Sequence, residues 1–134
     1  MSETTADLHL GALGQIARHV VDPRRSEAWY RDVLGLTHLY TFPSRIGDLV
    51  FFDLGGTRLL MEKDAREQPG EQNVLYFRVA DINAAHVRLQ SRGVEFIEAP
   101  HKIFTHPDGT EEWMAFFKDC DGQTLSIMSQ VKAG

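Results

Sequence analysis

Glu62, His19 and Arg78 are the side chains whose types and placement could do chemistry here. Each sits in a short run with the two-residue alternation of a strand, on the face its apolar neighbours leave free. A carboxyl group partly withdrawn from water has a raised pKa and can act as a base, and Glu62 is the candidate. An imidazole changes charge near neutral pH, so His19 is its candidate partner in moving a proton. A guanidinium keeps its charge, so Arg78 must meet a carboxylate, carbonyl groups, water or an anionic ligand. Tyr76 shares the face of Arg78, and Ser126 shares that of Met128. With Trp113 and the loop residue His101, these are the candidate ligand contacts. Each has a plainer reading: a core histidine at His19, a solvated carboxylate beside Lys63 at Glu62, simple packing at Trp113.

The elements that must position these residues come as one unit used twice. Gln15 to Val20 reads as a strand, Asp22 as a helix N-cap, and Pro23 as the first helical residue. Ser26, Trp29, Tyr30 and Val33 form the helical stripe, and Gly35 is a left-handed stop. The second copy has Asp81 for Asp22, the stripe Ile82, Ala85, His86 and Leu89, and Gly93 for Gly35. Phe51-Phe52 before Gly56 and Leu59-Leu60-Met61 recurs as Phe116-Phe117 before Gly122 and Leu125-Ser126-Ile127-Met128. The fold expected is α+β: a single domain of two βαβββ modules, about 14–63 and 73–130, forming a pseudo-symmetric half-open cleft with the helices outside. Residues 1–13 read as a loose arm and 64–72 as the linker. Phe42 to Arg45 reads as a turn, and Pro100 to Thr110 as a long loop at the cleft mouth holding His101 and His106. Strand alternation turns Gln15, Ala17 and His19 inward, with Val74, Tyr76 and Arg78. Arg18 is left on the helix side, where water or Glu27 would have to meet it.

The 134 residues suffice for one domain with a real core, and the composition is that of an ordinary globular protein. A net charge of −5 with scattered basic residues argues against nucleic acid and anionic membranes as partners. The single cysteine, Cys120, excludes an internal disulfide, and the first residues lack the basic-then-apolar order of a secretory signal. A cytoplasmic location is the expectation.

Asp22 through Trp29-Tyr30 to Val33-Leu34-Gly35-Leu36, with Phe117-Lys118-Asp119-Cys120-Asp121-Gly122, resembles the vicinal oxygen chelate superfamily. That group includes glyoxalase I, methylmalonyl-CoA epimerase, extradiol dioxygenases, and fosfomycin and bleomycin resistance proteins. Cys120 stands where the family pattern has proline. The resemblance implies a homodimer that takes a small-molecule ligand. It also implies one divalent metal (Ni, Zn, Mn or Fe) held from the first, fourth, fifth and eighth strands. Carried over, those positions are Gln15, then Leu60 with Glu62 two residues on, Val74 and Ser126. Gln15 and Glu62 are thus the metal candidates, whereas Val74 cannot bind one and Ser126 is at best a weak ligand. Two functions stay open. One is a glyoxalase- or dioxygenase-like enzyme (lyase, isomerase or dioxygenase) acting on a small oxygen-rich molecule, with Glu62 as base. The other is a metal-independent binding or antibiotic-resistance protein that sequesters its ligand.

Overall fold

The computed structural model describes residues 8–66 and 70–132. The first seven residues of the expected arm and residues 67–69 of the linker lie outside them. The element order is β1 (Gln15–Val20), α1 (Pro23–Asp32), β2 (Thr37–Ser44), β3 (Gly47–Asp53) and β4 (Arg58–Lys63). The pattern then repeats as β5 (Leu75–Arg78), α2 (Ile82–Ser91), β6 (Phe96–Thr105), β7 (Glu111–Lys118) and β8 (Thr124–Val131). The strand orders are β1-β4-β3-β2 and β5-β8-β7-β6. In each sheet the first and last strands of the module pair parallel and the others antiparallel. Ile16 pairs with Leu59 where Leu75 pairs with Leu125, so the two copies share one register.

The local causes repeat as well. The Asp22 carboxylate accepts hydrogen bonds from the N–H groups of Arg24 and Arg25, and Asp81 accepts one from Ala84. Gly35 and Gly93 leave each helix at φ of 75° and 87°, a region a side chain would strain. One face of each sheet packs on its helix. Val50, Phe52, Leu59 and Met61 are buried there in the first module, as are Ala115, Phe117, Leu125 and Ile127 in the second. The other face carries no helix.

Both outer strands run further than the sequence suggests. Phe42, Pro43 and Ser44 belong to β2, and β6 passes through Pro100 to Thr105, so His101 lies in a strand and only 106–110 form the turn. Proline usually marks a break, but an edge strand pairs on one side only and tolerates the missing N–H. Register shifts interrupt both of these strands, between His38 and Tyr40 in β2 and around Pro100 in β6, whereas the opposite edges β1 and β5 pair without a shift.

The buried apolar residues of the two modules form one cluster, and a seam of polar contacts joins the modules as well. α1 rests on the β7–β8 turn, where the buried Tyr30 hydroxyl donates to Asp119 Oδ2 at 2.6 Å. Asp119 Oδ1 accepts from the N–H groups of Asp121 (2.8 Å) and Gln123 (2.9 Å). Asp121 in turn accepts from the Val21 N–H and pairs with Arg25. Gln72 clasps His19 through both of its backbone groups, at 2.9 and 2.8 Å. At the far end Arg92 Nη1 donates to the Val33 carbonyl at 2.8 Å, closing the C-terminus of α1. Arg18, only 4% exposed, donates to the Asn73 carbonyl rather than reaching Glu27, which is occupied by Arg24, Arg31 and Thr41. Burial, with the Asp119 charge, pushes the Tyr30 phenol well above its usual pKa. Burial likewise pushes the Cys120 thiol up to about 11. No helix among the described residues is long and apolar enough to cross a membrane.

Candidate functional site

The helix-free faces hold most of the polar candidates. On the first sheet, parallel pairing sets His19 opposite Glu62, with Nε2 and Oε1 3.5 Å apart. His19 Nδ1 lies 3.9 Å from Asp64, whose carboxyl is held down to about 2 by the hydrogen bonds from Arg66. Together with Ile46 these groups line a recess of about 410 Å³. Further along the same face Tyr40, Phe42 and Phe51 form one aromatic cluster, with centroids 4.8 to 5.9 Å apart. The Arg58 guanidinium lies 5.8 Å from the Phe51 ring centre and donates to the Tyr40 hydroxyl at 3.2 Å.

On the second sheet the register stacks Tyr76, Ser126 and Phe116 in one row and Arg78, Met128 and Met114 in the next. The row beyond pairs Glu112 with Gln130. Glu112 Oε2 accepts from Gln130 Nε2 at 2.6 Å and lies 2.7 Å from His106 Nε2. Those two contacts, with the Arg78 charge behind them, hold the Glu112 carboxyl below its ordinary pKa. This face therefore combines an apolar floor of methionine and aromatic side chains with a polar end of Arg78, His106, Glu112 and Gln130. Such a floor suits a flat organic ligand, and the polar end can fix its orientation.

The sequence candidates are distributed as follows. His19 and Glu62 come together. Tyr76, Arg78 and Met128 share the open face of the second sheet, and the carboxylate that feels the Arg78 charge is Glu112. Ser126 lies in the same row but is fully buried, its hydroxyl donated to the Ala115 carbonyl at 2.9 Å, so it has no free group to offer a ligand. Trp113 is on the other face: it alternates with Glu112 and Met114, packs against the core, and donates from Nε1 to Glu111. His101 pairs with Met114 across the edge, with Nδ1 held by the Ala99 carbonyl at 2.8 Å. Gln15 pairs with Arg58, four positions before Glu62, a separation of about 13 Å at the rise of a strand. One ion cannot bridge Gln15 and Glu62 over that distance. Among the described residues no three His, Cys, Asp or Glu side chains converge on a point that could hold a metal. The donor set therefore does not fit a tight divalent site.

Glu112 and Gln130 escaped the sequence reading. Alternation carried back from Phe116 and Met114 reaches Glu112, but only if β7 begins two residues before Trp113. The partner Gln130 is set by long-range pairing that no local pattern announces.

The family model described as the Glyoxalase/Bleomycin resistance protein/Dioxygenase superfamily matches residues 12–127. Human mitochondrial methylmalonyl-CoA epimerase is 26% identical over 132 residues, covering 89% of this chain and 74% of that protein. Among solved structures, an antibiotic-binding protein from Streptomyces sp. CB03234 is 21% identical with a TM-score of 0.78, covering 92% of this chain and 98% of its own. The lactoylglutathione lyase of Agrobacterium tumefaciens is also 21% identical, with a TM-score of 0.63 and coverages of 90% and 95%. At these identities the solved structures bear on the fold alone.

Proposed function

The chain belongs to the Glyoxalase/Bleomycin resistance protein/Dioxygenase superfamily, and we propose that within it this protein is a metal-independent binder of a small aromatic molecule carrying an anionic oxygen. One observation carries the reading. Of the four positions that would supply metal ligands only the first, Gln15, holds a ligand type, the others being Leu60, Val74 and the hydrogen-bonded Ser126, while the same faces carry aromatic clusters and the guanidinium of Arg78. Rings of the ligand would lie on Tyr76, Phe116 and the methionines, with its anionic oxygen at Arg78. Two copies would build the complete cleft, the first sheet of one facing the second sheet of the other; the exposed Phe42 and Phe104 support such a homodimer. The likeness to an antibiotic-binding protein is consistent with sequestration as the biological use.

The test is a thermal-shift screen of aromatic carboxylates and phenolates with a chelator present, followed by calorimetry on Arg78→Met. Saturable binding that survives the chelator and disappears in the variant supports the reading. Binding that needs a divalent ion overturns it.

The His19–Glu62 pair favours a second reading, an isomerase that moves a proton next to a carbonyl group, with Glu62 as base. The likeness to an epimerase points the same way. Deuterium uptake from solvent into methylmalonyl-CoA, lost in Glu62→Gln, would establish it; no uptake would remove it.

A further inference from the structure

A second cavity lies beneath α2, on the helix-covered side of the second sheet, with Arg78 also among the residues that line it. It measures about 300 Å³. Phe77 and Ile127 of the second sheet form its floor, Ala85 and Leu89 its roof, and Leu34 and Leu36, just after α1, its side wall. Counting from the N-caps Asp22 and Asp81 explains why it exists. Ala85 stands where α1 has Ser26, Arg88 where it has Trp29, and Leu89 where it has Tyr30. In the first module the Trp29 and Tyr30 rings meet edge to face and Tyr30 packs against Phe52, filling the space between helix and sheet. The second module keeps the frame and lacks both rings.

The mouth of the cavity is charged. Arg88 and Arg92, one helical turn apart, both line it. The arginines that pair with carboxylates are Arg24, Arg25, Arg31 and Arg66; among the described residues Arg88 and Arg92 make no ion pair. Arg92 spends one amino group on the Val33 carbonyl and keeps the other donors of its guanidinium. Two unneutralised guanidinium groups beside an apolar hollow, on a chain of net charge −5, select for an anion with an apolar body.

We propose that the cavity between α2, the second sheet and the segment after α1 binds a small monocarboxylate whose apolar chain fills the hollow and whose carboxylate meets Arg88 and Arg92. At about 30 Å³ per water-sized unit the hollow takes about ten non-hydrogen atoms, the size of an eight-carbon acid. Its walls come from both modules, so a bound acid braces one against the other. Arg78 borders both this cavity and the open face, so the methyl map, which separates Leu89 and Ile127 from Met114 and Met128, is what distinguishes binding here from the function proposed above.

The experiment is a titration of the full chain, labelled with ¹³C at its methyl groups, with sodium octanoate and separately with octan-1-ol. Saturable octanoate shifts are expected at Leu34, Leu36, Leu89 and Ile127, and none at Leu60, Met114 or Met128 of the open faces. Octan-1-ol should bind at least about tenfold more weakly, the worth of a charge-assisted contact. Arg88→Gln should weaken octanoate by about the same factor and leave octan-1-ol unchanged. Leu89→Phe should close the hollow to both; should that variant not fold, the methyl map and the exposed Arg88 substitution still decide. Shifts confined to the open faces, equal affinity for acid and alcohol, or no saturation by several millimolar would each overturn the proposal.

Discussion

Replacing Tyr30 with phenylalanine tests the seam that joins the modules. The ring remains, still packed against Phe52 and Trp29, so no cavity opens. What is lost is one donor: the hydroxyl 2.6 Å from Asp119 Oδ2, with Tyr30 only 2% exposed. A hydrogen bond to a charged group contributes about 1.5 to 3 kcal/mol, and the Asp119 oxygen left behind is itself buried. Asp119 keeps the two backbone donors on its other oxygen, so the β7–β8 turn should survive. The expected cost is therefore about 2 kcal/mol, or about 6 to 10 °C in Tm for a chain of this length. Urea unfolding followed by circular dichroism measures it, and a cycle with Asp119→Asn isolates the pair. The pH dependence adds a second signature. Because the folded phenol titrates well above 10, the stability it lends is full below the ordinary tyrosine pKa and is lost as pH rises through the folded value. The gap between wild type and variant should thus narrow above pH ~10. A cost below about 0.5 kcal/mol at neutral pH would show that this bond does not hold the seam.

Three further outcomes follow from the packing and the charges. Phe52→Ala, at a fully buried ring between α1 and its sheet, should cost about 3 to 5 kcal/mol in the same urea assay; a loss under about 1 kcal/mol would contradict its place in the core. Cys120 should react slowly with iodoacetamide at pH 8 and faster with each step toward its pKa of about 11, so rapid labelling at neutral pH would refute the burial of that thiol. The Asp64 carboxyl is held at about 2, so the stability it contributes is complete above the ordinary carboxylate range and fades as pH falls toward 2. Arg66→Met should accordingly raise the pH of acid unfolding, and an unchanged midpoint would remove the pair from the stability of the fold.

The duplication was legible because its signals are local. An aspartate that caps a helix and a glycine that ends one are written within a dozen residues, and Asp22, Asp81, Gly35 and Gly93 all do what their types dictate. The two-residue period likewise separated His19 from Val20 and Arg78 from Phe77. Pairing across strands was not legible. Nothing local says that Gln15 stands four positions from the partner of His19, or that Gln130 meets Glu112. Phase was the weak point at Trp113, since an indole in a strand next to polar residues reads equally well on either face until the strand's start is known. Arg18 shows a different limit: its partner is a backbone carbonyl of the other module, a group present at every position and marked at none.

The strands β2 and β6, one edge of each sheet, each carry a proline, Pro43 and Pro100, and a break in register, between His38 and Tyr40 in β2 and around Pro100 in β6. An open strand edge is a template on which a second chain can add itself, and these two are spoiled for that purpose. Edge-to-edge growth of sheets competes with folding at high protein concentration, so the prolines and register breaks that hide the ends of β2 and β6 from sequence patterns also guard those two edges against it.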